Sequence, residues 1–246
     1  DIPIVKASEV EADRPLGTGP YRLDTAGGGL RRQAGWWCTA RLPIGGDFIK
    51  LIPVESAADI RDAFEFGGAS LVCMDPASTD YVMFRSDYEL WDSENGQFLY
   101  LACNSKSKVF SNPTVRAALT HAIDRKTLAE AYYHGFAQPA TLPASPESPW
   151  YNQTLAVRFA YDPEKFAQAV AGALETKAIE TNEVTLLVNS SDITRHRVGL
   201  AIAKMLEAGG LKVTITTATA ANFAEALKAE NYDLYLGQTK LSPNMD

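Results

Sequence analysis

Two groups of polar residues near the C-terminal end of the sequence could hold a small molecule. Each group follows a short, β-rich apolar segment, and both offer groups that donate or accept hydrogen bonds. Backbone groups at such positions can also meet an extended peptide. The candidate ligand-binding residues are Asn189, Ser190 and Ser191 in the first group, and Gly237, Gln238, Thr239 and Lys240 in the second.

The sequence lacks the short motifs that mark common catalytic and cofactor sites. It has no G-x-S-x-G nucleophile elbow, no P-loop and no G-x-G-x-x-G loop. The three histidines, His121, His134 and His196, stand at no metal-ligand spacing. We therefore assign no catalytic residue, no metal and no cofactor, and we expect a protein that is not an enzyme. A Ser–His–Asp triad assembled by the fold stays open, because triads are defined by geometry.

Charged residues in the predicted helices are interpreted as structural. Arg116, Asp124 and Arg125 fall within one predicted helix, where charges are usually paired along the helix or solvated. The segment Arg195–Arg197 is interpreted as a charged helix face.

Composition excludes some classes of function. The formal net charge is -7 and the pI is about 5.1, and the basic cluster Arg31–Arg32 is too small to bind nucleic acid. The three cysteines, Cys38, Cys73 and Cys103, form no C-x-x-C motif. One disulfide remains possible, but buried free thiols are more common. No run of about eighteen apolar residues is present, so no transmembrane helix is predicted.

The elements that position the polar groups alternate between strand and helix. Strands are predicted at 183–189, 211–217 and 232–236 from their β-rich or alternating patterns. Helices are predicted from the cap Asp192 to Ala208 and over 220–229. This order predicts a parallel unit with right-handed crossovers, in which ligands bind beyond the carboxyl ends of the strands. Those ends carry the two polar groups.

Earlier segments predict further elements. Strands are expected at 48–54, 70–74 and 98–103, and helices at 57–66 and 113–134 and from Asp162-Pro163 onward. Trp36–Trp37 and Trp150–Tyr151 could line a pocket or simply pack in the core or on the lobe surface.

Four motifs are spread along the chain from residue 17 to residue 237. They are GTGPYRL at 17–23, NPTVRAALTHAIDR at 112–125, YDPEK at 161–165 and NYDLYLG at 231–237. In type and order they resemble the motifs of extracellular solute-binding protein family 5, the oligopeptide, dipeptide and nickel binders of ABC importers. Any one motif is weak, but together they are specific.

The resemblance implies an α/β fold: a type II periplasmic-binding-protein lobe with a mixed, mostly parallel sheet flanked by helices. It implies that residues 1–246 form a single lobe, the second of two, with hinge-proximal segments near 14–23 and 237–246. The first lobe, with the signal peptide and any lipid anchor, is expected outside this chain. A lobe on its own should bind ligand weakly, because the contacts of the other lobe are missing.

The implied function is that of the solute-binding component of an ABC importer. It would capture peptides between two lobes and deliver them to a membrane permease. The implied partners are a peptide or other small solute, the ABC permease and the missing first lobe. The implied location is extracytoplasmic, as a cell-surface lipoprotein or in the periplasm.

The second polar group departs from the family pattern. Family members commonly have a Trp after the glycine and, in some peptide binders, an Asp that anchors the peptide amine; here Gln238 and the non-acidic Lys240–Ser242 stand there. The ligand could therefore be a peptide held by other groups, or another solute. Two other functions stay open: a ligand-presenting sensor or chaperone-like relative of the same fold, and a small α/β hydrolase.

Overall fold

Two separate sheets organise the chain. The computed structural model describes residues 5, 7–11, 16–74, 89, 91 and 96–241. The chain divides into two compact units, Asp1–Cys73 and Met74–Asp246. Predictions for residues 242–246 lie outside the described residues. The single lobe over 1–246, with its hinge-proximal ends, stays a prediction.

The sheet of the second unit is mixed and mostly parallel, which confirms the predicted fold class. Its strands are β4 (Gln97–Cys103), β5 (Glu183–Asn189), β6 (Lys212–Ala218) and β7 (Leu234–Lys240), in the order β4-β7-β5-β6. Strand β5 pairs in parallel with β6 and with β7, whereas β4 and β7 are antiparallel. The bounds predicted for β5 are confirmed.

Helices pack on this sheet and enclose the core. Helix α6 (Ile193–Ala208) begins at the predicted cap, where the Asp192 side chain accepts a hydrogen bond from the backbone N–H of Arg195. A Cβ at Gly199 would lie 2.7 Å from the Val188 side chain, so this glycine lets α6 pack closely on β5. The fully buried side chains include Phe110, Phe166, Leu186, Val188, Leu206, Leu234 and Leu236.

The predicted helix over 113–134 is wrong as a single element, because it is two helices. Helix α2 (Pro113–Ala122) ends at Ile123, which has an extended conformation, and α3 (Arg125–Tyr133) begins after it. Asp124 is the N-cap of α3, and its side chain accepts a hydrogen bond from the backbone N–H of Thr127. A good capping residue inside the apolar pattern starts a new helix there.

Arg125 also stabilises the junction between α2 and α3. Its guanidinium donates to the carbonyl oxygens of Thr120 (3.0 Å) and Ile123 (3.2 Å) and to the Thr120 hydroxyl (2.9 Å). These groups lie at the C-terminal end of α2, where carbonyls have no partner within the helix. The interpretation of Asp124 and Arg125 as structural is supported, although their placement in mid-helix is wrong.

The first unit contains an antiparallel sheet of β1 (Tyr21–Asp24), β2 (Gly29–Arg32) and β3 (Phe48–Lys50). The predicted strands 48–54 and 70–74 are wrong in extent: β3 ends at Lys50, and residues 70–74 form no strand. A β-rich pattern forms a strand only where a partner completes the ladder. Leu51 and Leu71 are accordingly exposed.

The remaining helices were predicted from the sequence, except those over residues 153–158 and 7–9. Helix α1 in the first unit begins with a capping box between Ser56 and Asp59. These helices are α1 (Ala57–Glu65), α4 (Gln153–Arg158), α5 (Pro163–Glu175) and α7 (Ala220–Lys228), and a short 3-10 helix spans Ala7–Glu9.

Candidate functional site

The strands β5 and β7 separate at their carboxyl ends and leave a crevice between them. Their pairing ends at Leu187 and Tyr235, but β5 continues to Asn189 and β7 to Lys240. The connection that leaves β5 runs to β6 on one side, whereas β7 lies on the other side. This is a topological switch point, the place where open α/β sheets bind ligands.

The first predicted group forms a hydrogen-bonded turn at the end of β5. The Asn189 side chain is buried and accepts from the backbone N–H of Ser191 at 2.9 Å. Ser190 N–H donates to the carbonyl of Ala218 at 2.9 Å, and the Ser191 hydroxyl accepts from Ala220 N–H at 3.0 Å. These bonds connect the turn to the end of β6 and to the start of α7. Ser190 and Ser191 remain exposed beside the crevice.

The second predicted group is a strand and not a loop, which corrects the prediction. Gly237, Gln238, Thr239 and Lys240 pair with Tyr100, Leu99, Phe98 and Gln97 of β4, respectively. The partner strand lies far away in the sequence, so the polar composition of this segment gave no sign of it. Gln238 is half-buried, whereas Thr239 and Lys240 are exposed.

Tyrosines lie on the face of the β4–β7 ribbon that points away from the core. Leu99 and Leu101 pack on the core, so Tyr100 between them points to the opposite face. The Tyr100 and Tyr235 rings meet edge to face at 5.9 Å. The hydrogen bond with Tyr100, together with burial, raises the pKa of Tyr235 to about 12. The Tyr235 phenol is therefore neutral at neutral pH and does not act as a base.

Arg195 connects the cap of α6 with the second predicted group across the crevice. Its Nη2 donates to Oε1 of Gln238 and lies 3.2 Å from Oδ2 of Asp192. The side chain is only 16% exposed, so Arg195 is the largely buried member of this charged helix face. Its Nε is shielded from solvent and has no hydrogen-bond partner among the described residues.

Sequence reasoning missed this arginine, although a signal was present. Arg195 lies in the first turn of α6, directly after a strand end, where the helix dipole disfavours a cation. A cation kept at such a position indicates a specific partner. That partner, Gln238, is 43 residues away in the sequence and could not be identified from local patterns.

A cleft of the second unit lies at the opposite end of the sheet. It has a volume of about 320 Å³ and includes Lys106, Ser107, Glu230 and Asp233 in its lining. Its charged groups bond to one another: Lys106 pairs with Glu230, and Asp233 accepts from the Ser107 hydroxyl and from Thr185 N–H. This network ties β4, β5 and β7 together and leaves few free groups for a ligand.

The two aromatic pairs, Trp36–Trp37 and Trp150–Tyr151, lie in different surroundings. Trp36 lines a cleft of about 210 Å³ in the first unit, and the indole N–H groups of Trp36 and Trp37 both donate to the Thr18 carbonyl, at 2.7 and 3.0 Å. Trp150 is 76% exposed, whereas the Tyr151 hydroxyl accepts from Thr141 N–H at 3.1 Å.

Residue types that could bind metal ions or act as nucleophiles are spread over the described part of the chain. Among the described residues, no cluster of His, Cys, Asp or Glu could hold a metal ion. In the same part of the chain, no helix is long and apolar enough to cross a membrane. The three cysteines are free thiols, and burial raises the pKa of Cys103 to about 11 despite the nearby Arg116.

Comparison with known proteins places the chain among binding proteins. The heme-binding protein A of Haemophilus influenzae is 30% identical over 188 residues, which are 73% of this chain and 33% of that protein. The glutathione-binding protein GsiB of Escherichia coli K12 is 28% identical over 221 residues, 88% of this chain and 42% of that protein. This chain therefore spans less than half the length of these relatives.

Solved structures agree on the fold. The periplasmic oligopeptide-binding protein of an oligopeptide ABC transporter from Thermotoga maritima superposes with a TM-score of 0.66 at 17% identity, covering 95% of this chain and 49% of that one. The family model of the bacterial extracellular solute-binding proteins, family 5 Middle, matches residues 3–245, which confirms the resemblance seen in the motifs. The chain belongs to family 5 of the bacterial extracellular solute-binding proteins.

Proposed function

We propose that this chain is part of the solute-binding component of an ABC importer. The observation that carries the proposal is the crevice between β5 and β7, bordered by Ser190, Ser191 and Gln238 in a member of family 5. Reversible capture fits these groups, because they offer hydrogen bonds without an activated nucleophile. We accordingly assign no catalytic residue and propose that the protein is not an enzyme.

The ligand class that the crevice fits best is a short peptide. Beyond Tyr235, β7 pairs with β4 alone among the described residues, so its other edge can meet an extended backbone. Glutathione, which GsiB is named for, is itself a small peptide. Side chains on the rim, including Thr239 and Lys240, would add selectivity.

The remaining contacts would come from outside this chain. Since the chain spans less than half the length of its relatives, we propose a second lobe that closes over the crevice by hinge motion. The loaded protein would then dock with a membrane permease. The family's extracellular character supports an extracytoplasmic location, either in the periplasm or on the cell surface through a lipid anchor.

A thermal-shift panel tests this function. The full-length protein would be heated with short peptides, with sugars and with metal chelates, since a ligand that binds only the folded state raises Tm by mass action. We expect Tm to rise with peptides. A shift with only another class of solute would retain solute binding and replace the ligand. No shift with any class would contradict the proposal.

A further inference from the structure

The guanidinium of Arg195 has fewer partners than its donors require. Each nitrogen of a guanidinium carries N–H groups, yet both contacts made by Arg195 to described residues use Nη2. Nε is shielded from solvent and unpartnered. Leaving a buried N–H without an acceptor is unfavourable, so the arrangement is poised to accept another oxygen atom.

The charge of Arg195 is also only partly balanced. Asp192, at 3.2 Å, is its counter-ion, but this carboxylate is 40% exposed. Its other oxygen caps α6 by accepting from the Arg195 backbone N–H at 2.8 Å. The remaining acceptor, Gln238, is neutral. The N-terminus of α6 adds further positive potential.

We propose that Arg195 anchors a carboxylate of the ligand, and that the Gln238 amide oxygen occupies part of this subsite when no ligand is bound. The inference rests on the proposed function, because it names the chemistry that the same crevice selects. An incoming carboxylate displaces the Gln238 oxygen and pairs with Nη2 and with the unpartnered Nε. No covalent bond forms or breaks.

The geometry favours a carboxylate over an ammonium group. A guanidinium matches the two oxygens of a carboxylate in a planar, bidentate pair, which a single amide oxygen does not satisfy. The nearby carboxylate of Asp192 already pairs with Arg195 at 3.2 Å, and neither Thr239 nor Lys240, which follow Gln238 on β7, can neutralise an ammonium ion. The crevice therefore selects the acidic end of a peptide and not its amino end.

Calorimetric titration of the full-length protein tests the anchor. The probes are trialanine with a free carboxylate, trialanine amide, and Ala-Glu-Ala amide, which carries its carboxylate on a side chain. We expect the free acid to bind roughly 10- to 100-fold more tightly than trialanine amide, the range of one charge-assisted contact. Partial recovery with Ala-Glu-Ala amide would assign the subsite to a side-chain carboxylate as well as to the terminal one.

Two variants on the same helix separate the anchor from general charge. Arg195→Gln should abolish the preference for the free acid. Arg197→Gln removes the same charge from an exposed position on α6 and should leave the preference unchanged. Equal loss in both variants would attribute the effect to net charge and overturn the proposal.

A third variant tests the displaceable amide. Gln238→Glu places a carboxylate permanently beside Arg195, so it should raise Tm in the absence of ligand and remove the preference for the free acid. Retention of the wild-type preference would overturn the displacement step.

The failure of this inference and the failure of the proposed function are distinguishable. Equal binding of trialanine and its amide to the wild type would overturn the carboxylate anchor and leave peptide capture intact. If neither peptide binds, the peptide assignment fails. In that case the anion site is tested separately, by following the Arg195 Nε–H resonance in NMR spectra during titration with sodium succinate. A saturable shift at Arg195, absent at Arg197, supports the anion site; no such shift overturns it.

Discussion

The ring of Tyr100 lies directly against the backbone of Gly237. The two residues pair across β4 and β7, and a Cβ at position 237 would lie 2.6 Å from the Tyr100 ring. A glycine paired with an aromatic residue lets the ring cover the neighbouring strand. This contact fixes the position of Tyr100 on the face of the ribbon that points away from the core.

Substitution of Gly237 by alanine should therefore destabilise the sheet. Displacing the Tyr100 ring should lower the free energy of unfolding by about 1–3 kcal/mol, measured by urea denaturation. The matched control is Gly172→Ala in α5, where an added Cβ meets nothing within 4 Å and should stabilise the helix. If the loss at Gly237 persists in a Tyr100→Ala background, the contact is not its cause.

The guanidinium of Arg125 should contribute strongly to stability. Arg125→Met removes its bonds to the Thr120 and Ile123 carbonyls and should lower the free energy of unfolding by about 1.5–3 kcal/mol. Lys126→Met changes an exposed neighbour and should have an effect within about 0.5 kcal/mol. Equal effects of the two variants would argue against the role of Arg125 at the end of α2.

The cap of α3 should make stability depend on pH in the acid range. Burial raises the pKa of Asp124, but hydrogen bonds from the backbone N–H and hydroxyl of Thr127 outweigh it, so the net pKa lies below its ordinary value. A lowered folded-state pKa stabilises the fold at neutral pH, and this contribution is lost as pH falls below about 4.

Asp124→Asn keeps a capping oxygen but cannot titrate, so its acid dependence should be weaker than that of the wild type. Asp124→Ala should lower the free energy of unfolding by about 1 kcal/mol at neutral pH. Both are measured by urea denaturation at several pH values. Identical acid profiles for the Asn variant and the wild type would show that another group controls the dependence.

The three thiols should differ in reactivity. With its pKa raised to about 11 by burial, Cys103 carries little thiolate at pH 8. Cys73 is exposed and Cys38 is buried, so iodoacetamide should modify Cys73 first in the folded protein. Mass spectrometry of peptides over time follows the three sites, and a urea-unfolded sample is the control. Faster labelling of Cys103 than of Cys73 would contradict the structure.

Local patterns in the sequence predicted the core of the second unit well. The β5–α6–β6 segment was recognisable because the strand patterns, the apolar spacing of α6 and the Asp192 cap are all local signals. Long-range pairing was not recognisable. The extension of β7 to Lys240 depends on its pairing with β4. The contact of Arg195 with Gln238 depends on where the fold places the start of α6 relative to β7.

The predicted ligand group on β7 shows the same limit. Its residues were predicted to follow a strand, but they form the second half of β7, which pairs with a strand more than a hundred residues earlier. The strand predicted at 70–74 failed for the opposite reason, since a favourable β pattern had no neighbour among the described residues to complete it.

The close approach of Gly199 to Val188 has a mechanical consequence. Because Gly199 has no side chain, α6 packs directly on Val188 of β5, and this close packing opposes sliding of the helix along the strand. We therefore expect a displacement of the first turn of α6, at Arg195, to move β5 together with the helix.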